Sequence, residues 1–261
     1  MKRDASENPP FRIVSSAVLF FAGLCLGAEP SSRVHGAETL RIVGWNMQSD
    51  SSTSTREADP NLLKQQIGQK KGVQLWGLCE VLDAPTLTKF EQGAEVAVPA
   101  DFAAILGTTG DRDRLAILYD STRFELIGQE ELNTIQLSSG LRAPLVATLK
   151  DKSSGIQFLF MVNHLKRGEA QNAVRLEQAK LLNQWVRQQT LPVIAVGDYN
   201  FDYDVAKGDL GVPFRDGGFD AMIKDDKFRW IRPETLVKTQ ADDEFNTILD
   251  FAFVANYPFG W

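Results

Sequence analysis

Polar side chains that can bind water, cations or phosphate lie at the ends of several apolar runs in this sequence. They are Asn46, Glu80, Asn163, His164, Asp198 and Asn200. A buried strand fixes the position of the residue at its end, so several such residues can point into one shared crevice. Each of them taken singly is more typical of a turn or a cap. The set as a whole predicts a built site.

Asp250 differs from these residues because it stands inside an apolar run, Ile248–Val254. A carboxylate within such a segment carries a heavy desolvation cost unless a cation or a hydrogen-bond donor lies beside it. The position of Asp250 therefore indicates a buried partner.

The elements that must position these residues are short apolar runs of strand length, interrupted by helical patterns. The predicted strands cover residues 39–45, 73–79, 115–119, 145–149, 156–162 and 193–196, and several are apolar on both faces, as in strands buried between layers. A period of 3.6 residues predicts a helix between Gly168 and Gln189, and Pro60 at a first-turn position predicts another helix up to about Lys71. Strands and helices interleaved in this way indicate an α/β class.

The composition describes one globular domain. The chain has 261 residues, 43% of them apolar and 24% charged, which excludes collagen-like, disordered and multi-span membrane proteins. Its net charge of -6 argues against a uniformly basic surface for duplex nucleic acid, but a local basic patch stays compatible with it. We expect a monomer, and we expect Cys79 to pack as a small buried hydrophobe.

The N-terminal residues have the order of a secretory leader followed by a linker. Basic residues at 2, 3 and 12 precede an uncharged stretch from Ile13 to Ala28 that ends in small residues. This stretch is shorter than the ~20 apolar residues of a spanning helix. We predict a signal peptide at 1–28, a linker at 29–38 and a domain at 39–261, in a secreted or periplasmic protein without a stable membrane anchor. An uncleaved anchor is the alternative.

Six short segments carry a resemblance to a known superfamily. They are Val43–Asn46, Leu78–Val81, Asp113–Tyr119, Val162–Leu165, Val196–Asn200 and Ile248–Phe251. In this order and approximate spacing they resemble the endonuclease/exonuclease/phosphatase superfamily, which includes deoxyribonuclease I, abasic-site endonucleases, sphingomyelinases and inositol polyphosphate phosphatases. The resemblance implies an α/β (α+β) fold, a four-layer α/β/β/α sandwich of two packed β-sheets flanked by helices. It places the active site where strand ends from both sheets meet.

The resemblance also implies a role for each residue of the site. Glu80 would be the principal ligand of Mg²⁺ or Mn²⁺, a hard cation that takes oxygen donors and keeps several waters. Asn46 would support that metal site and contact the phosphate. Asp198 would orient and deprotonate the attacking water, with Asn200 fixing its geometry or binding phosphate. His164 would donate a hydrogen bond to a phosphoryl oxygen.

One further role follows from the same resemblance, and two arginines are candidates because of their chemistry. Asp250 would orient a second histidine and stabilise its charge, as carboxylates do for imidazoles elsewhere. Arg114 and Arg142 are candidate contacts for substrate phosphate, because a guanidinium matches phosphate bidentately. An arginine that merely flanks a strand at the surface is the alternative for both.

The sequence departs from the superfamily at two places. In deoxyribonuclease I the position that matches Ala143 is an acid that pairs with the first histidine. Family members also close on a Ser-Asp-His segment, whereas here Trp261 ends the chain shortly after Asp250 and the only histidine besides His164 is His35. We therefore expect a domain that is C-terminally incomplete, with at most residual hydrolysis.

The resulting functional prediction is a divalent-metal-dependent phosphoesterase, most strongly a phosphodiesterase or nuclease that uses an activated water. Its partner would be a phosphodiester substrate such as nucleic acid. A phosphatase or phospholipase acting on a sugar, inositol or lipid headgroup is the alternative among enzymes, since fold does not settle substrate. A non-catalytic binding protein on the same scaffold is the alternative outside enzymes.

Overall fold

The computed structural model describes residues 17–22, 39–49, 58–206, 216–233, 235–239 and 247–257, which form two mixed β-sheets and the helices that cover them. The first sheet has the spatial order β1-β2-β3-β5-β4, with β1 (Ala17–Ala22), β2 (Leu40–Asn46), β3 (Leu75–Val81), β4 (Phe102–Leu106) and β5 (Arg114–Asp120). The second sheet has the order β10-β11-β9-β8-β7-β6, with β6 (Phe124–Glu131), β7 (Leu145–Asp151), β8 (Gln157–His164), β9 (Val193–Asp204), β10 (Arg229–Trp230) and β11 (Thr247–Ala255).

The helices are α1 (Pro60–Gln69), α2 (Ala84–Ala97), the single turn α3 (Asn133–Gln136), α4 (Asn172–Val186) and α5 (Gly217–Ile223), with 3₁₀ turns at Glu169–Gln171 and Lys224–Asp226. Three of them begin at an aspartate that caps the first turn. The side chains of Asp59, Asp83 and Asp216 accept hydrogen bonds from backbone N–H groups of α1, α2 and α5. Such caps satisfy donors that a helix N-terminus otherwise leaves unpaired.

Three apolar cores separate four layers. The middle core lies between the sheets and includes Ile42, Ile117, Phe160 and Val196. A second core packs Trp45 and Trp76 of the first sheet against α1 and α2, and a third packs Met161 and Phe251 of the second sheet against α4 and α5. This arrangement confirms the predicted α/β/β/α sandwich.

The predicted strands and helices are present, and several elements extend or add to the prediction. The interpretation that Asp198 and Asn200 follow the end of their strand is wrong, because β9 continues through both to Asp204 and pairs with β11 there. The structure adds α2, β4 and β6. The strand β6 is an edge strand that alternates buried or half-buried residues with exposed ones such as Glu125 and Gln129, so it lacks an apolar run.

The predicted signal peptide and linker lie outside the described residues, apart from Ala17–Ala22, whose backbone pairs antiparallel with β2. In the parts of the chain that the structure describes, no helix has the length and apolar character needed to span a membrane.

Candidate active site

The two sheets bring the predicted polar residues to one edge of the sandwich. In the second sheet, the parallel strands β8 and β9 place His164 opposite Asp198, and the antiparallel strands β9 and β11 place Asp250 opposite Asp198 as well. In the first sheet, Asn46 is the last residue of β2, and Glu80 lies near the end of the parallel neighbour β3. The site is therefore built by side chains from both sheets.

Close backbone packing holds the second-sheet half of the site. Gly197 has a φ of 138°, and a Cβ built on it would lie 2.0 Å from the carbonyl oxygen of Asn163, so only glycine fits at this position. The Cys79 thiol donates to the same carbonyl oxygen at 3.2 Å. Burial raises the pKa of Cys79, and the charge of Asp198 raises that pKa further. The prediction that Cys79 is buried is confirmed.

A β-bulge aims Glu80 into the site. The pairing of β3 with β5 shifts register between Leu78 and Val81, and Glu80 within this irregular stretch has a φ of 54°. Positive φ is uncommon for a non-glycine residue, and bulges next to active sites re-aim side chains in this way. The backbone of Glu80 is strained, and this strain allows its side chain to leave the regular direction of β3 and enter the site.

Asn46 joins the two carboxylates of the site. Its Nδ2 donates to Glu80 Oε1 at 2.7 Å and to Asp198 Oδ2 at 3.1 Å. Its Oδ1 accepts from the backbone N–H of Gln48 at 3.1 Å, which fixes the orientation of the amide. In this orientation the Asn46 amide group holds the Glu80 and Asp198 carboxylates next to each other.

His164 lies between three acids. Its Nε2 is 3.7 Å from Asp198 Oδ2 and 3.9 Å from Glu80 Oε1, and its Nδ1 is 3.3 Å from Asp113 Oδ1. The His164 side chain is 5% exposed, so both ring nitrogens face protein groups. Asp113 Oδ1 and His164 Nδ1 are within ion-pair distance, although neither atom makes a hydrogen bond of good geometry with a described residue. The other ring nitrogen, Nε2, faces the space between Glu80 and Asp198.

Asp113 was not among the predicted site residues. Burial alone would raise its pKa, but the contact with His164 and the charges of Arg142 and Lys166 outweigh burial, so its pKa is lowered and the group is held as a carboxylate. Asp113 therefore places beside His164 an acid of the kind that deoxyribonuclease I has at the position of Ala143. The sequence did contain a signal for this residue, because Asp113 is the first residue of the motif Asp113–Tyr119.

The two predicted arginines have different surroundings. Arg142 is 8% exposed, and its Nη1 lies 3.1 Å from Asp113 Oδ2, so it joins the site through that carboxylate. The aliphatic part of the Arg142 side chain packs against Gly110. The φ of Gly110 is 89°, and a Cβ added to it would lie 2.5 Å from Arg142 Cγ. Arg114 instead donates from Nε to the carbonyl oxygen of Asp111 at 2.6 Å. Hydrogen bonds with Thr86 are the main cause of the lowered pKa of Asp83, and the charge of Arg114 lowers this pKa further.

Asn200 supports the backbone around the site. Its Nδ2 donates to the carbonyl oxygen of Leu165 at 3.1 Å, and its backbone N–H donates to Asp198 Oδ1 at the same distance. The N–H of Leu165 in turn donates to the carbonyl oxygen of Asp198 at 2.9 Å. The structure thus places Asn200 where it fixes Asp198 and the segment after His164.

Asp250 is a buried carboxylate beside other negative charges. Burial raises its pKa, the charges of Asp198 and Glu80 raise it further, and a hydrogen bond with Thr239 opposes this rise. Among the described residues, none donates a hydrogen bond to Asp250 Oδ1. The sequence indicated a buried partner for Asp250. Thr239 supplies that partner only in part.

The donor set fits a hard divalent cation. Magnesium is usually held by one or two carboxylates together with waters and substrate phosphate, and rarely by an all-protein cage. Glu80 is 21% exposed and lies next to Asp198, so a carboxylate oxygen is accessible to a solvated ion. Within the described ranges, no three His, Cys, Asp or Glu side chains are grouped so as to hold a metal by themselves. Such a site would therefore depend on water and substrate for its remaining ligands.

Comparison with known proteins gives matches in structure only. No protein-family model matches this sequence, and no curated protein matches it. A humanized D. rerio TDP2 has a TM-score of 0.64 and 14% identity, with 85% of each chain covered. The catalytic domain of human Nocturnin has a TM-score of 0.58 and 15% identity, covering 83% of this chain and 82% of that one.

A third structure is described as the endonuclease/exonuclease/phosphatase from Bacteroides vulgatus. It has a TM-score of 0.57 and 16% identity and covers 80% of this chain and 84% of its own. The chain therefore has the fold of the endonuclease/exonuclease/phosphatase superfamily, as its sequence motifs predicted.

Proposed function

We propose that this protein is a divalent-metal-dependent phosphoesterase that hydrolyses phosphodiester bonds with an activated water. The observation that carries the proposal is the convergence of Glu80, Asp198, His164 and Asn46, with Asp113 behind the histidine. Two carboxylates, an imidazole and an amide at one edge of two sheets form a site for a cation and an anionic substrate. The positive φ of Glu80, in the irregular stretch of β3, directs its carboxylate toward this cluster.

Each side chain then has a chemical task. Asp198 takes the proton of the attacking water, and the N–H of Asn200 and the amide of Asn46 hold its two oxygens in place. His164 donates from Nε2 to a phosphoryl oxygen, and the Asp113 carboxylate 3.3 Å from its Nδ1 stabilises the positive charge of the ring. Glu80 would hold Mg²⁺ or Mn²⁺, which when bound neutralises phosphate charge and stabilises the leaving oxygen.

Among substrates, a phosphodiester in nucleic acid is the one we propose. A D. rerio TDP2 structure with 15% identity and a TM-score of 0.59 is described as a complex with a single-strand DNA product. A Bacteroides thetaiotaomicron structure with 17% identity and a TM-score of 0.51 is described as a mannosyl-6-phosphatase. A sugar, inositol or lipid phosphoester is therefore the alternative substrate class on the same fold.

A substrate panel separates these alternatives. The full chain is assayed with plasmid DNA, single-stranded DNA, RNA, a generic phosphodiester and a phosphomonoester, with Mg²⁺ and with a chelator. We expect metal-dependent cleavage of the phosphodiesters, at the residual rate expected from the sequence. Cleavage confined to the monoester would favour the phosphatase, and metal-dependent binding of phosphate without cleavage of any substrate would favour a non-catalytic binding protein.

We also propose that residues 1–28 direct export and are then removed. Cleavage after Ala28 would remove β1 from the first sheet and leave β2 as its edge. The N-terminal sequence of protein recovered outside the cytoplasm checks this proposal, and a protein that begins at Met1 in the cytoplasm would contradict it.

A further inference from the structure

A hydrogen-bonded junction outside the proposed catalytic residues connects the edges of the two sheets. Glu131 is the last residue of β6, and Thr108 and Thr109 lie in the loop that follows β4. Glu131 Oε1 accepts from the N–H of Thr108 at 3.0 Å, from the N–H of Thr109 at 3.1 Å and from the Thr109 hydroxyl at 2.8 Å. The Thr108 hydroxyl donates to Glu131 Oε2. One carboxylate thus binds two consecutive residues at the start of the loop between β4 and β5 in the opposite sheet.

Thr109 extends this junction to a third segment. Its hydroxyl oxygen accepts from the backbone N–H of Ala143 at 3.0 Å, so the same group is donor to Glu131 and acceptor from Ala143. A hydroxyl can fill both roles at once. The Thr108 hydroxyl contacts Glu131 and does not form this link to Ala143.

The segments joined by Thr109 carry the residues that hold His164. Ala143 follows Arg142 directly, and the loop that contains Thr109 leads through Gly110 to Asp113. Arg142 Nη1 lies 3.1 Å from Asp113 Oδ2, and Asp113 Oδ1 lies 3.3 Å from His164 Nδ1. A shift of the loop relative to Ala143 would therefore change the contact between Asp113 and His164.

The junction favours a charged Glu131. Burial would raise the pKa of Glu131, but the hydrogen bonds from Thr108 and Thr109 lower it by more. Charge-assisted hydrogen bonds of this kind are roughly twice as strong as neutral ones. The loop is thus fixed at a point near the site by bonds that are stronger than those of an ordinary turn.

We propose that Thr109, anchored by Glu131, is a positioning residue for the reaction because its hydroxyl sets the placement of Asp113 against His164. The expected change in reaction rate rests on the proposed function. The expected change in the position of Asp113 relative to His164 can be measured without any activity. Misplacing a reacting group by about 1 Å can cost 10²-fold in rate.

The kinetic test compares Thr109→Val with Thr109→Ser. Valine keeps the shape and removes the hydroxyl, whereas serine keeps the hydroxyl. We expect Thr109→Val to lower kcat roughly 10- to 100-fold with little change in KM, and Thr109→Ser to restore most of the rate. Thr108→Val is the matched control, because its hydroxyl bonds only to the same carboxylate, and it should retain kcat within about threefold.

A double-mutant cycle shows whether Thr109 acts through Asp113. In the Asp113→Asn background, Thr109→Val should have little further effect, because interacting sites are not additive. Asp151→Asn, which removes a similar carboxylate at the other end of the β6–β7 pair, should be additive with Asp113→Asn. Additive losses for Thr109→Val and Asp113→Asn would show general destabilisation and overturn the inference.

The second readout is the NMR signal of the His164 ring, assigned by its loss in His164→Gln. Thr109→Val and Asp113→Asn should both shift this signal, while Thr108→Val and Asp151→Asn should leave it in place. An inactive wild-type chain whose His164 signal responds in this way would refute the proposed function and keep the positioning role. An active chain in which Thr109→Val changes neither kcat nor the signal would refute the positioning role alone.

Discussion

At the scale of the residue, the most informative group is Asp113, because it was missed and yet holds the histidine. Its carboxylate contacts His164 with one oxygen and Arg142 with the other. Asp113 directly precedes β5 and His164 is the last residue of β8, so their contact depends on how the two sheets pack. Asn46, Glu80, His164 and Asp198 could be predicted because each stands at or near the end of an apolar run, and their types are those of a recognisable motif.

Removal of the Asp113 charge should slow the reaction without unfolding the protein. We expect Asp113→Asn to lower kcat by roughly 10²-fold, because His164 loses the group that orients its ring and stabilises its charge. Asp111→Asn is the control, since Asp111 is exposed and its φ of 56° suits asparagine. Steady-state kinetics of the two variants checks this, and equal rates for them would argue against a role for Asp113.

At the scale of the element, regular strand pairing brings the site residues together, and β-bulges set the direction of two of them. The irregularity at Glu80 in β3 and the shift between Ile248 and Asp250 in β11 both lie where a polar side chain enters the site. Apolar periodicity shows where a strand lies but gives little indication of a bulge within it. The edge strand β6, which carries Glu131, was not predicted because it lacks an apolar run.

Asp151 gives an element-scale prediction about pH. Its carboxylate accepts from Ser153 and Ser154 and from Arg123 Nε at 2.9 Å. Burial would raise its pKa, but these partners lower it below that of an unfolded chain. The resulting stabilisation is therefore present above about pH 4 and is lost as pH falls through the lowered pKa.

The measurement is urea denaturation of wild type and Asp151→Asn at several pH values. At pH 7 the variant should be less stable by roughly 1–3 kcal/mol, because it loses charge-assisted hydrogen bonds. The difference between the two proteins should shrink as pH falls below about 4. A difference that stays constant from pH 7 to pH 3 would contradict this assignment.

At the scale of the whole molecule, the site exists only because two sheets pack closely. Asn46 and Glu80 come from the first sheet, and His164, Asp198 and Asp250 come from the second. Strands that are apolar on both faces predicted that the sheets are buried between layers. The order of the motifs predicted which strand ends would meet. Distances across the interface, such as that from Asp113 to His164, depend on side-chain packing that periodicity does not describe.

Gly77 sets the separation of the sheets near the site. A Cβ at Gly77 would lie 2.3 Å from Val196 Cγ2 and 2.9 Å from Val162 Cγ2, and valine side chains have little freedom to move away. We expect Gly77→Ala to destabilise the protein by roughly 1–3 kcal/mol through overpacking. Gly128→Ala is the control, because nothing lies within 4 Å of its Cβ position. Thermal unfolding compares them, and equal melting temperatures would contradict the close approach of the sheets.

The central claim is that Asp198 and a divalent cation together activate water at this site. The most direct measurement is the rate of hydrolysis of a generic phosphodiester by wild type and by Asp198→Asn, each with Mg²⁺ and with a chelator. Circular dichroism of both proteins verifies that the fold is kept. We expect hydrolysis by wild type only with Mg²⁺, and a loss of 10² to 10⁴ in rate for Asp198→Asn, about the value of a general base. Full turnover by the chelator-treated wild type, or by Asp198→Asn with Mg²⁺, would contradict the account.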